Sequence, residues 1–571
     1  MKIRITGISR FRRFLEAKRY LYLLLIAVAA AAAYPLVADF YTKGEPREAI
    51  VAQAMMEEGE YILPRVYGDE AAFKPPMFHW LEILSTVFTG GEVTPLSARL
   101  PSAVALFVIA GATFFFFSQR RPLSPALLAA LVFITTLDPH RFGIIARVDM
   151  VLTMFIILAL FGLYAWDEKR GRKGIPWSVV LFLSCGVLTK GPVGVVLPLL
   201  IFLVFAVIRR YPLGPLVLKL LLIALAASVL PAIWYAAAFH KGGEPFFRMV
   251  WNENVLRFLG IADNTLFYDL GHEGKFFKPL IYFILGLVPW TLLLFFLRWG
   301  KKETYRLPVE SSPLHLFALV AAVTTLVFYM FPMSKSSSYL LPMYPFAALG
   351  IAETLYAFVR GEHKRLVGFS LLMCGIGVVM LAAMIYLQTG LRVPFVDADK
   401  VEVFGEGLRR YPGLALTGEL LLVVGVLTIL YQILRKNYHK LAFSVVFLVF
   451  IVHFNIDVPA MKHYKEVNSA RPFAEKVREE VGDESLYVVS DLNDGIYNLY
   501  GLAFYAKKRP VELRTADPRE GYLVIWERDF ERLKGDALSG YDIELVDRDP
   551  RSIKEGGHAL LLFVRKVSPR R

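Results

Sequence analysis

Long apolar runs recur along this chain at the length a bilayer core demands, and no other feature restricts its fold so much. They lie at roughly 20–38, 98–117, 122–137, 150–166, 177–189, 192–208, 214–236, 279–297, 313–331, 339–358, 366–388, 413–434 and 441–458. A membrane-crossing helix needs about 17–25 such residues. In hydrocarbon every backbone N–H and C=O must be satisfied within the segment, so these runs predict helices. The expected architecture is an all-α polytopic membrane protein of about thirteen transmembrane helices. Composition agrees, because only 20% of residues are charged, against about 25% in an ordinary soluble domain. No signal-peptidase site follows the first run, which is read as a retained helix.

The net charge of +14 raises nucleic acid as a partner, but the distribution of charge argues against it. Basic residues cluster in short turns: Arg120–Arg121, Lys169–Lys173, Arg209–Arg210, Arg298–Arg306, Arg360–Arg365 and Arg435–Lys440. With the basic arm Met1–Arg19 in the cytoplasm, all of these fall on the cytoplasmic side, as the positive-inside rule requires. The longer segments near 39–97, 237–278 and 389–412 then face outward, and an odd helix count puts the C-terminal tail outside as well. Cys185 and Cys374 lie inside apolar runs and read as buried thiols, not as a disulfide or a metal site.

Residues 1–459 thus form the membrane part, with 39–97 as its first outer loop, and residues 460–571 form a soluble extracytoplasmic domain. That tail alternates an amphipathic stretch, Ala470–Val481, with strand-like runs Leu486–Val489, Tyr522–Trp526 and Ala559–Val564, which predicts a small α/β domain. Ser469 is expected at an exposed position on it. No tandem or inverted repeat and no Gly-x-x-x-x-Gly-Lys-Ser/Thr motif is present, which argues against a transporter or flippase and against ATP-driven transport.

The first outer loop reads Lys43-Gly44-Glu45-Pro46-Arg47-Glu48-Ala49, with Ala52, Met55 and Met56 at helical spacing. Leu63-Pro64-Arg65 and Lys74-Pro75-Pro76-Met77-Phe78-His79-Trp80 follow. Apolar spacing with charged neighbours predicts helices lying along the interface, or an amphipathic loop anchored by Trp80. Further segments are Arg147-Val148-Asp149-Met150, Leu188-Thr189-Lys190-Gly191-Pro192, Asn252-Glu253-Asn254-Val255-Leu256-Arg257-Phe258, and Ser334-Lys335 through Tyr339-Leu340-Leu341-Pro342. In this order and topology they resemble the polyprenyl-phosphate-sugar glycosyltransferases of GT-C fold, the superfamily of the lipid A aminoarabinose transferases and the protein O-mannosyltransferases. The resemblance covers most of residues 20–350.

The resemblance implies a bacterial inner-membrane enzyme that takes a sugar from a polyprenyl-phosphate carrier to a lipid, glycan or protein acceptor. Such a donor leaves as a lipid phosphate, so basic side chains near the outer interface stabilise the developing charge. Lys74, Arg257 and Lys335 are the first candidates, with Arg47, Arg147, Lys190 and the Tyr339 hydroxyl beside them. An acceptor hydroxyl needs a base or an orienting carboxylate, for which Glu45 and Asp149 are the candidates; Asp149 also reads as a helix N-cap. Relatives' first motif opens Asp-Glu, and Gly44 replaces that Asp. Phe73 and Asn254 replace the acid before Lys-Pro-Pro and the His of a Glu-His segment. No metal and no other cofactor is expected, and His79, His240 and His272 have no ligand spacing.

Overall fold

The computed structural model describes residues 34–42, 44–66, 74–256, 274–297, 312–391, 398–489, 495–535, 538–553 and 557–567. The basic arm, most of the first apolar run, the Arg298–Arg306 turn, Phe73 and Arg257 lie outside them. The first outer loop supplies two helices, α1 (Gly44–Glu58) and α2 (Met77–Ser85). The membrane part continues with α3 (Pro95–Ser118), α4 (Leu123–Ile134), α5 (Leu137–Gly143), α6 (Val148–Arg170), α7 (Trp177–Lys190), α8 (Val193–Ile208) and α9 (Leu213–Trp251). It ends with α10 (Lys278–Gly286), α11 (Pro313–Phe328), α12 (Tyr344–Gly361), α13 (His363–Gln388), α14 (Ala398–Arg410), α15 (Pro412–Leu434) and α16 (Tyr438–Asn455).

Among the described residues, six helices are long and apolar enough to cross a membrane, or eight if each of two bent pairs is one span. The expected count of about thirteen is not reached. Several apolar runs fold into shorter or broken helices instead: α4 and α5 meet at 65°, and α10 meets the 3-10 turn Trp290–Phe296 at 91°. At the first break the Thr135 and Thr136 hydroxyls donate back to the carbonyls of Leu131 and Val132 at 2.7 Å, competing with the helix ladder. Where helices do pack, small residues let them touch. A Cβ on Gly194 of α8 would overlap the backbone of Gly186 and Val187 in α7. By contrast, α9 exposes Leu218, Leu221, Leu225, Val229 and Ile233 along one side, a surface suited to lipid.

After α16 the chain passes through α17 (Met461–Val467) and α18 (Arg471–Val481) into the tail. Strands β1 (Leu486–Val488), β2 (Val511–Glu512), β3 (Glu520–Trp526), β4 (Tyr541–Ile553) and β5 (Gly557–Lys566) form one sheet in the order β2-β1-β3-β5-β4. β1 runs parallel to β2 and β3, and β5 is antiparallel to β3 and β4. The apolar face of α18, Phe473, Ala474 and Val477, packs with α19 (Gly495–Ala506) on this sheet. The three strand-like runs and the amphipathic stretch take the expected forms.

This tail sits on the first outer loop. Phe40 packs edge-on against Phe504 at 5.2 Å, and its N–H donates to the Tyr505 hydroxyl at 2.8 Å. Arg471 pairs with Asp39 at 3.3 Å, and Lys507 with Glu92 at 3.0 Å. The contact accounts for two departures from expectation. α1 is not a helix lying on an interface, since Glu48 and every residue from Ala49 to Met55 are buried. Ser469 is only 1% exposed and donates to Asp39.

Candidate active site

α1 is held at its first turn by an ion pair below the surface. The Arg99 Nε donates to Glu45 Oε1 at 2.6 Å and a terminal nitrogen reaches Oε2 at 3.2 Å, with both side chains essentially inaccessible. The same guanidinium donates to the carbonyls of Pro35, Leu36, Ala38 and Asp39. Glu45 also accepts from Thr42 Oγ1 and the Ala146 N–H, each at 3.1 Å. The carboxylate expected to serve the acceptor is therefore saturated with donors and ties three segments together. Arg47, one residue past Pro46, pairs with Glu48 at 2.7 Å.

A cavity of about 350 Å³ opens between α7, α8, α9 and the Lys74-Pro75 segment. Its walls are apolar and aromatic (Trp234, Tyr235, Phe246, Met249, Phe328), and its polar end holds Lys74, Lys190, Glu253, Asn254, Ser334 and Tyr339. Two cation–carboxylate pairs stand at that end. Lys74 Nζ lies 2.5 Å from Glu253 Oε1, and Lys190 Nζ bonds Asp149 Oδ1. Lys190 Nζ is also 4.4 Å from the centre of the Tyr339 ring, which in turn lies 5.2 Å from the ring of Tyr329.

Local chain geometry explains the placement. α6 starts from Arg147, which is extended and makes no side-chain cap, so Asp149 is a first-turn residue and not the N-cap. α7 ends at Lys190 because Gly191 takes a φ of +79°, a left-handed conformation that favours glycine, and Pro192 follows. Both ends thus present their charged side chains to one spot. Arg147 lies beside them with its guanidinium over Gly44, where a Cβ would come within 2.7 Å of a terminal nitrogen. Among the described residues no carboxylate pairs with it, although its charge reaches Asp149.

The structure therefore brings Lys74, Asp149, Lys190 and Tyr339 together around the cavity, with Arg147 next to Asp149. Lys335 is elsewhere in character: it is 3% exposed and its ammonium is tied to the carbonyls of Tyr329, Met330 and Pro332. It braces the loop before Tyr339 and does not line the cavity.

The fold agrees with that of known proteins. The family model described as dolichyl-phosphate-mannose-protein mannosyltransferase matches residues 73–235, a stretch that includes Lys74, Asp149 and Lys190. Curated relatives named undecaprenyl phosphate-alpha-4-amino-4-deoxy-L-arabinose arabinosyl transferase include one from Pectobacterium carotovorum, 24% identical across 93% of this chain and 95% of that protein. Another, from Pseudomonas aeruginosa, is 27% identical across 67% of this chain and 68% of that protein. ArnT from Cupriavidus metallidurans bound to undecaprenyl phosphate superposes with a TM-score of 0.72, covering 95% of this chain and 97% of that chain at 16% identity. Its apo state gives 0.71 over 96% and 98% at 17% identity. The chain has the fold of these ArnT structures over nearly its whole length, and it is similar in sequence to the arabinosyl transferases.

The polar side chains at this end of the cavity are engaged with one another. Asn254 spends its amide on the Val250 carbonyl at 2.9 Å, and its oxygen packs against Gly191. Glu253 and Asp149 are each neutralised by a lysine. Among the described residues no three His, Cys, Asp or Glu side chains converge as metal ligands. Sequence reasoning missed two residues of these ion pairs. Arg99, charged yet inside an apolar run, carried a usable signal. Glu253 lay in a motif but gave none of its own.

Proposed function

We propose that this GT-C protein moves a sugar from an undecaprenyl-phosphate carrier to an anionic acceptor at the outer face of the bacterial inner membrane, either lipid A or another envelope lipid or glycan. The observation that carries this reading is the cavity itself. Apolar and aromatic walls suit isoprene units, and a paired-lysine end suits the phosphate. In the transfer the acceptor oxygen bonds to the anomeric carbon, the bond from that carbon to the carrier phosphate breaks, and its electron pair leaves on the phosphate. Lys74 and Lys190 then meet rising negative charge with preorganised donors. Arg257 is assigned to the same phosphate on its motif alone.

Arg147 supports the acceptor's being an anion. Among the described residues no carboxylate bonds this half-buried guanidinium, and an anionic ligand would satisfy it. An ionised acceptor oxygen also needs no base, which suits a site whose carboxylates are all paired with cations. Asp149 then holds Lys190 in place. No divalent cation takes part in this scheme. Arg147→Met should raise the acceptor concentration needed for half-maximal transfer by about tenfold or more, with donor binding unchanged. Chelator-treated protein should keep most of its activity; loss rescued by one particular cation would contradict the scheme. A protein acceptor is the second reading, favoured by the description of the matching family model. Mass spectrometry of envelope lipids and proteins with and without the chain separates the two.

Orientation follows from the basic turns: N-terminus cytoplasmic, tail outside. Thr515→Cys, on the exposed surface of the tail, should react with an impermeant maleimide in intact cells. Lys440→Cys, in the exposed first turn of α16, should react only after permeabilisation. The reverse pattern would invert the topology.

A further inference from the structure

Three buried ionisable side chains beside the site have no part in the transfer. Glu48 lies on α1, and His79 and Glu82 on α2, the helix that starts directly after Lys74-Pro75-Pro76. His79 Nδ1 is 3.0 Å from Glu82 Oε2, and its Nε2 is 3.7 Å from Glu48 Oε2. The other Glu48 oxygen accepts from Arg47 at 2.7 Å. Side-chain exposure is 7%, 1% and 0% for Glu48, His79 and Glu82. The second Glu82 oxygen is buried with no hydrogen-bond partner among the described residues.

α2 packs against α1, α3 and α7. Arg99 on α3 is taken by Glu45, and Lys190 on α7 by Asp149. The charged groups that face the trio are therefore Arg47 on its own helix α1 and Lys74, whose charge reaches Glu48. Two carboxylates and one imidazole shut away from water cannot hold two negative charges cheaply, so one proton is retained and shared.

We propose that His79 and Glu82 are positioning residues: through Glu48 they set the charge behind Lys74, and a single proton on the pair switches that charge. This rests on the reading of Lys74 as a ligand of the donor phosphate. With the proton on, the trio carries one net negative charge; with it off, two. The second charge draws on Lys74 and weakens the positive potential offered to the phosphate.

The environment places the switch near neutrality. Burial drives the Glu82 carboxyl up to about 7, against the pull of its bond to His79. Burial also raises Glu48, but Arg47, His79 and Lys74 together hold it below the ordinary carboxylate range. A carboxyl whose folded-state pKa is raised adds stability that is fully present below its ordinary pKa and is lost as pH rises through about 7. Donor affinity falls through the same window.

The test has two arms on the purified full chain. Infrared difference spectra titrated from pH 5 to 9 should contain a protonated-carboxyl band that disappears near pH 7 and is absent in Glu82→Gln. Binding of undecaprenyl phosphate should weaken about three- to tenfold across that range in the parent protein. In Glu82→Gln it should stay flat at the low-pH value, and Glu82→Asp should restore the slope. His79→Gln should displace the midpoint. If folded Glu82→Gln keeps the parent slope, or the band is missing, the proposal is wrong. A band that titrates while undecaprenyl phosphate never binds overturns the donor reading instead and leaves the proton pair standing. A purely structural pair would change thermal stability and leave the binding slope untouched.

Discussion

Lys74→Ala is expected to lower transfer by about a hundred- to a thousandfold, the usual effect of removing one charged donor to a developing oxyanion, roughly 2.7–4 kcal/mol. Donor binding should fall with it, because the carrier phosphate is already anionic in the ground state. The structure adds a sharper expectation. Lys74 sits 2.5 Å from Glu253, so its removal strips the counter-charge from a carboxylate that faces the same cavity. Part of the loss is then repulsion between Glu253 and the phosphate. Lys74→Ala combined with Glu253→Gln should regain donor binding by a measurable factor yet leave turnover low, since no donor meets the leaving group. Initial rates with labelled donor, together with equilibrium binding, measure both quantities. Additive effects of the two substitutions would mean that the pair does not act as a unit.

Glu45→Gln is expected to act on the fold. Its carboxylate is enclosed by Arg99, Thr42 and the Ala146 N–H, and the Arg99 guanidinium is 1% exposed at the side chain. Breaking a buried pair by removing one partner costs about 3–5 kcal/mol, because an uncompensated charge stays behind. That is a large share of the roughly 5–15 kcal/mol by which a native protein is stable. Thermal unfolding in detergent should shift markedly downward for Glu45→Gln and for Arg99→Met. The double substitution should be milder than either one, since it leaves no lone charge. Lost activity should track lost folded protein. A Glu45→Gln protein as stable as its parent but without turnover would return Glu45 to the acceptor side of the chemistry.

Much of this site was legible in the sequence because each motif lies at or beside a helix end. Lys74 precedes α2, Asp149 opens α6, Lys190 closes α7 and Tyr339 precedes α12, so short-range signals pointed to all four. Pairings between motifs were not legible. Glu45 meets Arg99 across 54 positions and Lys74 meets Glu253 across 179, and nothing local distinguishes such partners from solvated charges. Burial of α1 was hidden for the same reason, since the surface that covers it comes from the tail: Phe40 bonds Tyr505 465 positions away. The count of about thirteen spans is not reached among the described residues for a different cause. Apolar content measures whether a segment tolerates lipid, whereas Thr135–Thr136 and Gly243, the latter at a φ of 59°, decide whether it runs straight.

The central claim is that the Lys74–Lys190 end of the cavity holds a carrier phosphate while the sugar leaves it. The most direct measurement follows a doubly labelled undecaprenyl-phosphate sugar, one label on the sugar and one on the prenyl chain, with purified protein in vesicles of envelope lipids. The expected result is that the labels separate: the sugar label moves to an acceptor while free undecaprenyl phosphate accumulates in equal amount, and both changes are nearly abolished in Lys74→Ala. Labels that stay joined while the intact carrier crosses to the other leaflet would contradict the account and identify a flippase.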